Sequence, residues 1–146
     1  MRLTPVEEYG LRCLIQLAKR GDAHPVTIRT IAESEGLSTA YVGKLMFLLS
    51  KGGLVQASRG VQGGYALSRP PEQLTLAEFF RCMDPTNVEA ICGKFTGSED
   101  LCVHNTACAI KQVWSGLESH IDDYLNRYTL RDLAGPPAAV APAATR

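Results

Sequence analysis

The 146-residue sequence contains no acidic residue between Glu35 and Glu72, although Asp and Glu together number 15. Four cations lie within this acid-free stretch: Lys44, Lys51, Arg59 and Arg69. The zero net charge of the chain is a cancellation, since residues 1–70 carry nine Lys/Arg against five Asp/Glu and residues 71–146 carry six against ten. Binding to phosphates requires a local excess of cations without neighbouring acids. A solvated charged face does not explain the missing acids, so the pattern predicts a nucleic-acid partner.

Long apolar runs are also missing. No stretch approaches the roughly 18 residues that a membrane span requires, and the segment MRLTPVEEYG lacks the apolar run of a signal peptide. We therefore expect a cytoplasmic protein that makes no membrane contact. A glycine-rich nucleotide-binding fingerprint is absent as well, because Gly60 to Gly64 lies between two strand-like segments instead of opening a helix. This absence argues against an enzyme.

Apolar residues recur at helical spacing on both sides of Gly36. Ile28, Ile31 and Ala32 precede this glycine, and Val42, Leu45, Met46 and Leu49 follow it, with Ser38 placed to cap the second helix. Two helices joined by a short turn with glycine form a helix-turn-helix, whose second helix presents its N-terminal end to base edges. The residues that we expect to contact DNA from this helix are Ser38, Thr39, Tyr41, Lys44 and, further along, Lys51.

A β-hairpin follows the Gly52-Gly53 break. Residues 54–57 and 65–67 predict two strands, and Arg59 and Gln62 would lie at the glycine-rich tip between them. A guanidinium on such a tip can reach a phosphate or the minor groove, as in a DNA-binding wing. The alternative is an ordinary small α+β domain with an exposed basic hairpin.

The rest of the chain predicts more helix. The predicted fold class is mostly α with a small β-wing, in which a winged helix-turn-helix domain is joined to a long dimerisation helix. Helices are expected over residues 6–19, 76–83 and 107–126, and the last has a stripe of apolar positions: Ile110, Val113, Trp114, Leu117, Ile121, Tyr124 and Leu125. A second copy of the chain would cover this stripe, and a two-fold dimer matches a palindromic operator. The predicted divisions are a winged helix-turn-helix domain over 1–70, a connecting helix and loop over 71–91, a cluster-binding loop over 92–108, a dimerisation helix and C-terminal segment over 107–134, and a disordered Pro/Ala-rich tail over 135–146.

Cysteines occur in two settings. Cys13 and Cys82 lie in apolar helical patterns and are expected in the core. Three others, Cys92, Cys102 and Cys108, lie in or just after a long polar loop, which is an unusual place for cysteine. Three thiolates on one loop suit an iron-sulfur cluster or zinc, with His104 or Glu8 as a candidate fourth ligand. The plainer interpretation is three reduced cysteines without a shared role.

Several motifs resemble one known family. The sequence has MRLT at its start, Tyr9, GLS..Y over 36–41, GLV..SRG..GGY.L over 53–67, LTLAEFFRCMD over 74–84 and YTLRDL over 128–133. It is similar to the Rrf-two family of bacterial winged-helix transcriptional regulators. The resemblance implies that Cys92, Cys102 and Cys108 hold a 2Fe-2S or 4Fe-4S cluster, with an acidic residue of the partner subunit as fourth ligand, and Glu8 occupies that place. Another subgroup uses a histidine three positions after the last cysteine, but Lys111 stands there, which favours Glu8.

The sequence therefore predicts a homodimeric DNA-binding transcriptional regulator. Its operator affinity would be controlled by an iron-sulfur cluster that senses nitric oxide, redox state or iron and cluster status. One alternative is a cluster-free redox sensor in which Cys102 and Cys108 form a disulfide. A second, from a different class, is an iron-sulfur electron-transfer protein or enzyme, for which no active-site constellation can be assembled.

Overall fold

The computed structural model describes residues 3–21, 24–61, 63–83, 102 and 108–136. Its helices are α1 (Pro5–Arg20), α2 (Ile28–Glu35), α3 (Thr39–Lys51), α4 (Leu76–Met83), α5 (Ala109–Leu125) and α6 (Leu130–Ala134). Two strands, β1 (Val55–Ser58) and β2 (Gly64–Leu67), separate α3 from a 3-10 turn at Pro71–Gln73. This arrangement confirms the predicted fold class, mostly helical with one small antiparallel sheet.

Each of the first three helices begins at a capping residue. Thr4 caps α1 in a reciprocal arrangement, since the Glu7 carboxylate accepts a hydrogen bond from the Thr4 backbone N–H at 2.7 Å. Thr27 caps α2, and Ser38 caps α3 by accepting from the Tyr41 N–H at 3.2 Å. Between α2 and α3, Gly36 has φ 66°, a left-handed conformation that costs glycine little. These local signals produce the predicted helix-turn-helix.

The core lies where α1 crosses α2 and α3. Its most deeply buried side chains are Cys13, Leu14, Ile31, Val42, Leu45, Met46, Leu49, Phe79 and Leu130. Cys13 is fully buried, as predicted, and burial raises the pKa of its thiol to about 12. This cysteine is therefore a neutral packing residue at physiological pH.

The hairpin is anchored to the start of the helix-turn-helix. The antiparallel register pairs Val55 with Leu67 and Ser58 with Gly64, so β1 begins and ends one residue later than predicted. Val26 adds a bridge to Tyr65, and their backbone N–H and C=O groups exchange two hydrogen bonds of 2.8 Å. A Cβ atom at Gly64 would lie 2.6 Å from the Val26 carbonyl oxygen, so this close approach requires glycine. The base of the wing is consequently fixed relative to α2.

Helix α4 has the predicted bounds, and the Thr75 hydroxyl accepts a hydrogen bond from the Glu78 N–H at its start. Phe79 is buried, whereas Leu76 and Phe80 are half-buried, and Ala77 occupies the other buried position. The half-buried Cys82 packs against Gly52, at the end of α3. Helix α4 also contacts α5, so it joins the helix-turn-helix to the C-terminal helices.

Helix α5 begins two residues later than predicted, because Cys108 serves as its N-cap. After α5 the chain turns back, and α6 packs on α1 with Leu130 buried at 2% exposure. Thr129 bridges to Thr75, and the Leu130 N–H donates to the Leu74 carbonyl at 2.8 Å. Of the predicted tail, residues 137–146 lie outside the described residues. Within the described part, none of the helices combines the length and apolarity needed to cross a membrane.

Candidate nucleic-acid interface and cysteine site

Helix α3 has two distinct faces. Its inner positions Val42, Leu45, Met46 and Leu49 are all at 0% exposure. Ser38 and Thr39, at its N-terminal end, are exposed, and so are Lys44 and Lys51. Lys44 and Lys51 are seven residues apart, close to two helical turns, so they share the outer face. Four of the five predicted DNA contacts on this helix are therefore available to a ligand.

The fifth, Tyr41, is half-buried. Its ring meets the Tyr9 ring edge-on, with centroids 6.0 Å apart and planes at 81°. The Arg12 guanidinium carbon lies 5.6 Å from the centre of that Tyr9 ring. Tyr41 thus connects α3 to α1, in addition to any contact it makes outward.

Phe47 is a residue of the outer face that sequence reasoning missed. Its side chain is 60% exposed, although it stands beside the fully buried Met46. It lies three residues after Lys44 and four before Lys51, so all three share the outer face. Continuing the helical spacing from Lys44 along the sequence would have identified it.

The tip of the wing carries one described cation. Arg59 is exposed directly after β1, and Gly60 has φ 112°, a conformation suited to glycine. The Gly63 N–H donates to the Gly60 carbonyl at 2.9 Å, which closes the turn. Gln62, the other predicted tip contact, lies outside the described residues.

The cations near this surface differ in whether a carboxylate already pairs with them. Arg69 pairs with Glu78 at 2.8 Å, so this cation is already engaged by α4. Within the described part of the chain, no carboxylate lies within ion-pair distance of Lys44, Lys51 or Arg59. These three cations are available to neutralise an anion, which is the requirement for phosphate binding.

The predicted fourth ligand, Glu8, lies on the exposed side of α1. Its carboxylate pairs with Arg12 at 2.6 Å, with side-chain exposures of 45% and 50%. The neighbouring Glu7 is buried and engaged in capping the helix. Arg12 also lies 4.0 Å from Glu35, at the end of α2, so one guanidinium links Glu8 to the helix-turn-helix.

Two of the three loop cysteines are described. Cys102 and Cys108 are half-buried, and the Cys108 sulfur accepts a hydrogen bond from the Lys111 N–H at 3.3 Å. Cys92 and His104 lie outside the described residues. Among the residues that the structure does describe, no three His, Cys, Asp or Glu side chains gather into a metal site.

The apolar stripe of α5 is largely uncovered. Exposed fractions are 69% for Ile110, 68% for Val113, 52% for Trp114, and 46% for Leu117 and Tyr124. No described residue of this helix is buried. A contiguous apolar stripe of this kind typically marks a protein-protein interface.

Comparison with known proteins agrees with this description. Residues 3–136 match the family model described as Rrf2, an iron-dependent transcriptional regulator. The regulator NsrR of Bacillus licheniformis is 33% identical over 133 residues, covering 91% of this chain and 92% of NsrR. The regulator IscR of Vibrio cholerae is also 33% identical, over 91% of this chain and 75% of IscR.

Solved structures show the same architecture. The IscR structure from T. potens superposes with a TM-score of 0.70 at 27% identity, covering 98% of this chain and 94% of that one. The structure of CymR, the global cysteine regulator of B. subtilis, gives a TM-score of 0.69 at 27% identity, with coverages of 92% and 96%. The oxidized form of Staphylococcus aureus CymR gives 0.66 at 28% identity, with coverages of 93% and 98%. The family match spans nearly the whole chain, and the protein belongs to the Rrf2 family of winged-helix transcriptional regulators.

Proposed function

We propose that this regulator binds a palindromic operator as a homodimer, with α3 in the major groove and the wing tip against the backbone. The observation that carries the proposal is that Lys44, Lys51 and Arg59 are exposed and, among the described residues, have no carboxylate within ion-pair distance. Ser38 and Thr39 stand at the N-terminal end of α3, where hydroxyl groups can reach base edges or phosphates. The winged-helix regulators to which the chain is similar support this assignment.

The second protomer would be held by α5. The apolar stripe from Ile110 to Tyr124 is long enough to pack against the same helix of another copy, which would form a two-fold interface. Such a dimer presents two copies of α3, and binding to both half-sites depends on their separation. The dimer is therefore part of the DNA-binding proposal.

For the sensor, we propose that Cys92, Cys102, Cys108 and Glu8 hold a 2Fe-2S or 4Fe-4S cluster. The described candidate ligands suit an iron-sulfur cluster. Cys108 is a half-buried thiol at a helix N-terminus, and Glu8 is an accessible carboxylate. The family description names iron dependence, which supports the same assignment. When bound, the cluster would supply an iron centre that reacts with nitric oxide or oxidants.

The chain offers a path from Glu8 to the DNA-binding helix. A Glu8 carboxylate committed to a ligand would release the Arg12 guanidinium from its 2.6 Å ion pair. Arg12 would then be free to approach Glu35 more closely, and its position over the Tyr9 ring would change. Because the Tyr9 ring packs on Tyr41 of α3, the setting of the recognition helix would respond to the state of Glu8.

A cluster-free thiol switch is a second candidate, favoured by the likeness to CymR in an oxidized form. Here the thiols of Cys102 and Cys108 would give up two protons and two electrons to an oxidant such as a peroxide, forming one S–S bond. Cys108, the N-cap of α5, would supply one of the two sulfur atoms. Oxidation would then act directly on the start of α5.

One experiment separates the two sensors. Protein purified without oxygen is examined by visible absorption and by iron and sulfide analysis, and its DNA affinity is measured before and after nitric oxide, air or peroxide. A brown protein whose loss of colour accompanies a change in DNA affinity supports the cluster. A colourless protein whose affinity follows peroxide and is restored by a thiol reductant supports the disulfide. Cys108→Ser should abolish either response, whereas the control Cys82→Ser, outside the loop, should retain it.

The proposed role of Glu8 as a cluster ligand is tested by replacing it, with a second exposed carboxylate as the control. Glu8→Ala should give a dimer whose cluster bleaches faster in air or nitric oxide. Glu33→Ala removes a similar exposed carboxylate, which pairs with Arg29 at 2.9 Å, and should leave the bleaching rate unchanged. Equal cluster lifetimes in wild type and Glu8→Ala would remove Glu8 from the ligand set.

A further inference from the structure

Phe47 is an apolar side chain on a surface otherwise suited to an anion. It is 60% exposed, and the protein core has no place for it because the inner face of α3 is filled by residues at 0% exposure. A single exposed hydrophobic residue is common on protein surfaces. The location of Phe47 is distinctive, since Lys44 and Lys51 stand about one helical turn away on either side of it.

The flanking charges indicate which partner this ring meets. An apolar interface with a second copy of this face would bring Lys44 and Lys51 against identical cations, and neither lysine has a described carboxylate within ion-pair distance. A DNA duplex offers the opposite charge to both lysines. The neighbourhood of Phe47 is thus complementary to DNA and not to itself.

The length of α3 places Phe47 within reach of the groove. Eight residues separate it from Thr39, a distance of about 12 Å along a helix axis. The major groove admits an α-helix, so a helix that lies along the groove from Thr39 onward can still face base edges two turns later. A phenylalanine ring has no hydrogen-bonding atoms and cannot read the donors and acceptors of those edges. The apolar group that the major groove presents is the C5-methyl of thymine.

We propose that Phe47 is a specificity-determining residue that contacts the C5-methyl group of a thymine in each operator half-site. This inference rests on the proposed DNA-binding function and adds a base preference to it. Lys44 and Lys51 would position the helix through phosphates, and Phe47 would favour one base at one place. Replacing Phe47 by a polar residue would then change sequence preference without removing general affinity for DNA.

The test uses the full-length protein and a randomised double-stranded DNA library, from which bound sequences are selected and a consensus site is obtained. Each thymine of that site is then replaced in turn by deoxyuridine, which removes only the methyl group. At one position per half-site, the replacement should weaken wild-type binding by about fourfold, the order expected for removing one buried carbon from an apolar contact. Phe47→Ala should bind thymine and uracil sites equally well.

Two variants serve as controls. Phe47→Leu keeps an apolar side chain and should retain most of the preference for thymine. Leu3→Ala removes an exposed apolar side chain that precedes α1 and should leave the uracil effect unchanged. Phe47 is mostly exposed, so its replacement is expected to preserve the fold, which circular dichroism checks.

The outcomes distinguish this inference from the function on which it rests. Selection of no sequence at all would overturn sequence-specific DNA binding, and the role of Phe47 with it. A selected site without any uracil-sensitive thymine would overturn the role of Phe47 alone. Uracil sensitivity that persists in Phe47→Ala would do the same. A change in oligomeric state on replacing Phe47 would assign this ring to a protein interface instead.

Discussion

Helices α3 and α5 have similar amphipathic patterns but very different burial. The apolar residues that line the inner face of α3 are at 0% exposure, whereas those of α5 reach 69% at Ile110 and 68% at Val113. The first helix completes its packing within one protomer. No residue of the second is buried in the protomer, and its apolar stripe is the surface to which we assign the proposed dimer contact. Amphipathic periodicity therefore predicts that a face will be buried, without saying in which molecule.

The two helices also differ in how they are attached. Helix α3 packs against α1, α2, α4 and β1, while α5 contacts α4, and two described hydrogen bonds join its C-terminal end to the protomer. There Asp122 accepts a hydrogen bond from Arg81 at 3.2 Å, and Asn126 is bonded to Thr75 at 3.3 Å. These hydrogen bonds hold the C-terminal end of α5 against α4 and the residue that caps it.

The largest expected effect is the loss of folding stability when a buried ring is removed, compared with the removal of an exposed apolar side chain. Phe79 is 2% exposed and packs edge-on against Phe80 at 5.1 Å, so Phe79→Ala should destabilise the fold by about 3–5 kcal/mol. Val113→Ala should cost less than about 0.5 kcal/mol at protein concentrations where monomers dominate. Urea unfolding at several protein concentrations measures both. Similar losses for the two variants in the monomer would show that an exposed position of α5 contributes as much to the fold as the buried ring of α4.

A charge in the α5 stripe should separate the protomers without unfolding them. Trp114→Asp places a carboxylate in the proposed interface and should weaken dimerisation by about 2 kcal/mol or more, which is roughly 30-fold. Analytical ultracentrifugation gives the dimer affinity, and circular dichroism checks that helical content is kept. Asp123→Ala, elsewhere on α5, serves as the comparison variant. A dimer unchanged by Trp114→Asp would place the interface on another surface.

Most of the DNA-binding half could be predicted from the sequence because its signals are local. Ser38, Gly36 and Pro5 act through their own backbone and that of near neighbours, so helix bounds followed from them. Helix α4 was predicted with both bounds for the same reason. The predicted core residues of α3 were confirmed because a helix with one apolar stripe has only one way to bury it.

Features that depend on contacts between residues distant in the chain could not be predicted from the sequence. The Val26 bridge to Tyr65 joins residues far apart in the chain, and no periodic pattern predicts a single pair. Helix α6 was not predicted because only five residues form it, too few for a repeat. The half-burial of Tyr41 against Tyr9 and the pairing of Glu8 with Arg12 likewise depend on packing between side chains. The roles of the predicted site residues remain predictions, and Cys92, His104 and Gln62 lie outside the described residues.

A smaller effect concerns the wing. Arg59→Ala should weaken DNA binding by about fivefold, corresponding to the loss of one exposed charge contact of about 1 kcal/mol. The slope of log affinity against log salt should fall by about 0.9, as expected for one phosphate contact. Arg131→Ala removes an equally accessible cation, on α6 and paired with Glu72 at 3.4 Å, and should leave the slope unchanged. An unaltered slope in Arg59→Ala would exclude a phosphate contact by this residue.

The smallest expected effect is on the stability of α6, the short helix that follows α5 and packs on α1. The Thr129 backbone N–H and hydroxyl donate to the Asp132 carboxylate at 2.7 and 2.8 Å, and these hydrogen bonds hold the pKa of Asp132 below its usual range. A carboxyl group with a lowered folded-state pKa stabilises the fold above its unfolded-state pKa, near 3.9 for aspartate, and this contribution disappears as the pH falls through the folded-state value. Asp132→Asn should therefore be less stable than wild type at neutral pH, with the difference shrinking progressively below about pH 4. Denaturant unfolding between neutral and acidic pH measures this difference, and Thr129→Ser, which keeps both donors, should retain the wild-type pH dependence. If the difference in unfolding free energy between Asp132→Asn and wild type stays constant on acidification, the ionised carboxylate does not stabilise α6, the helix that connects α5 to α1.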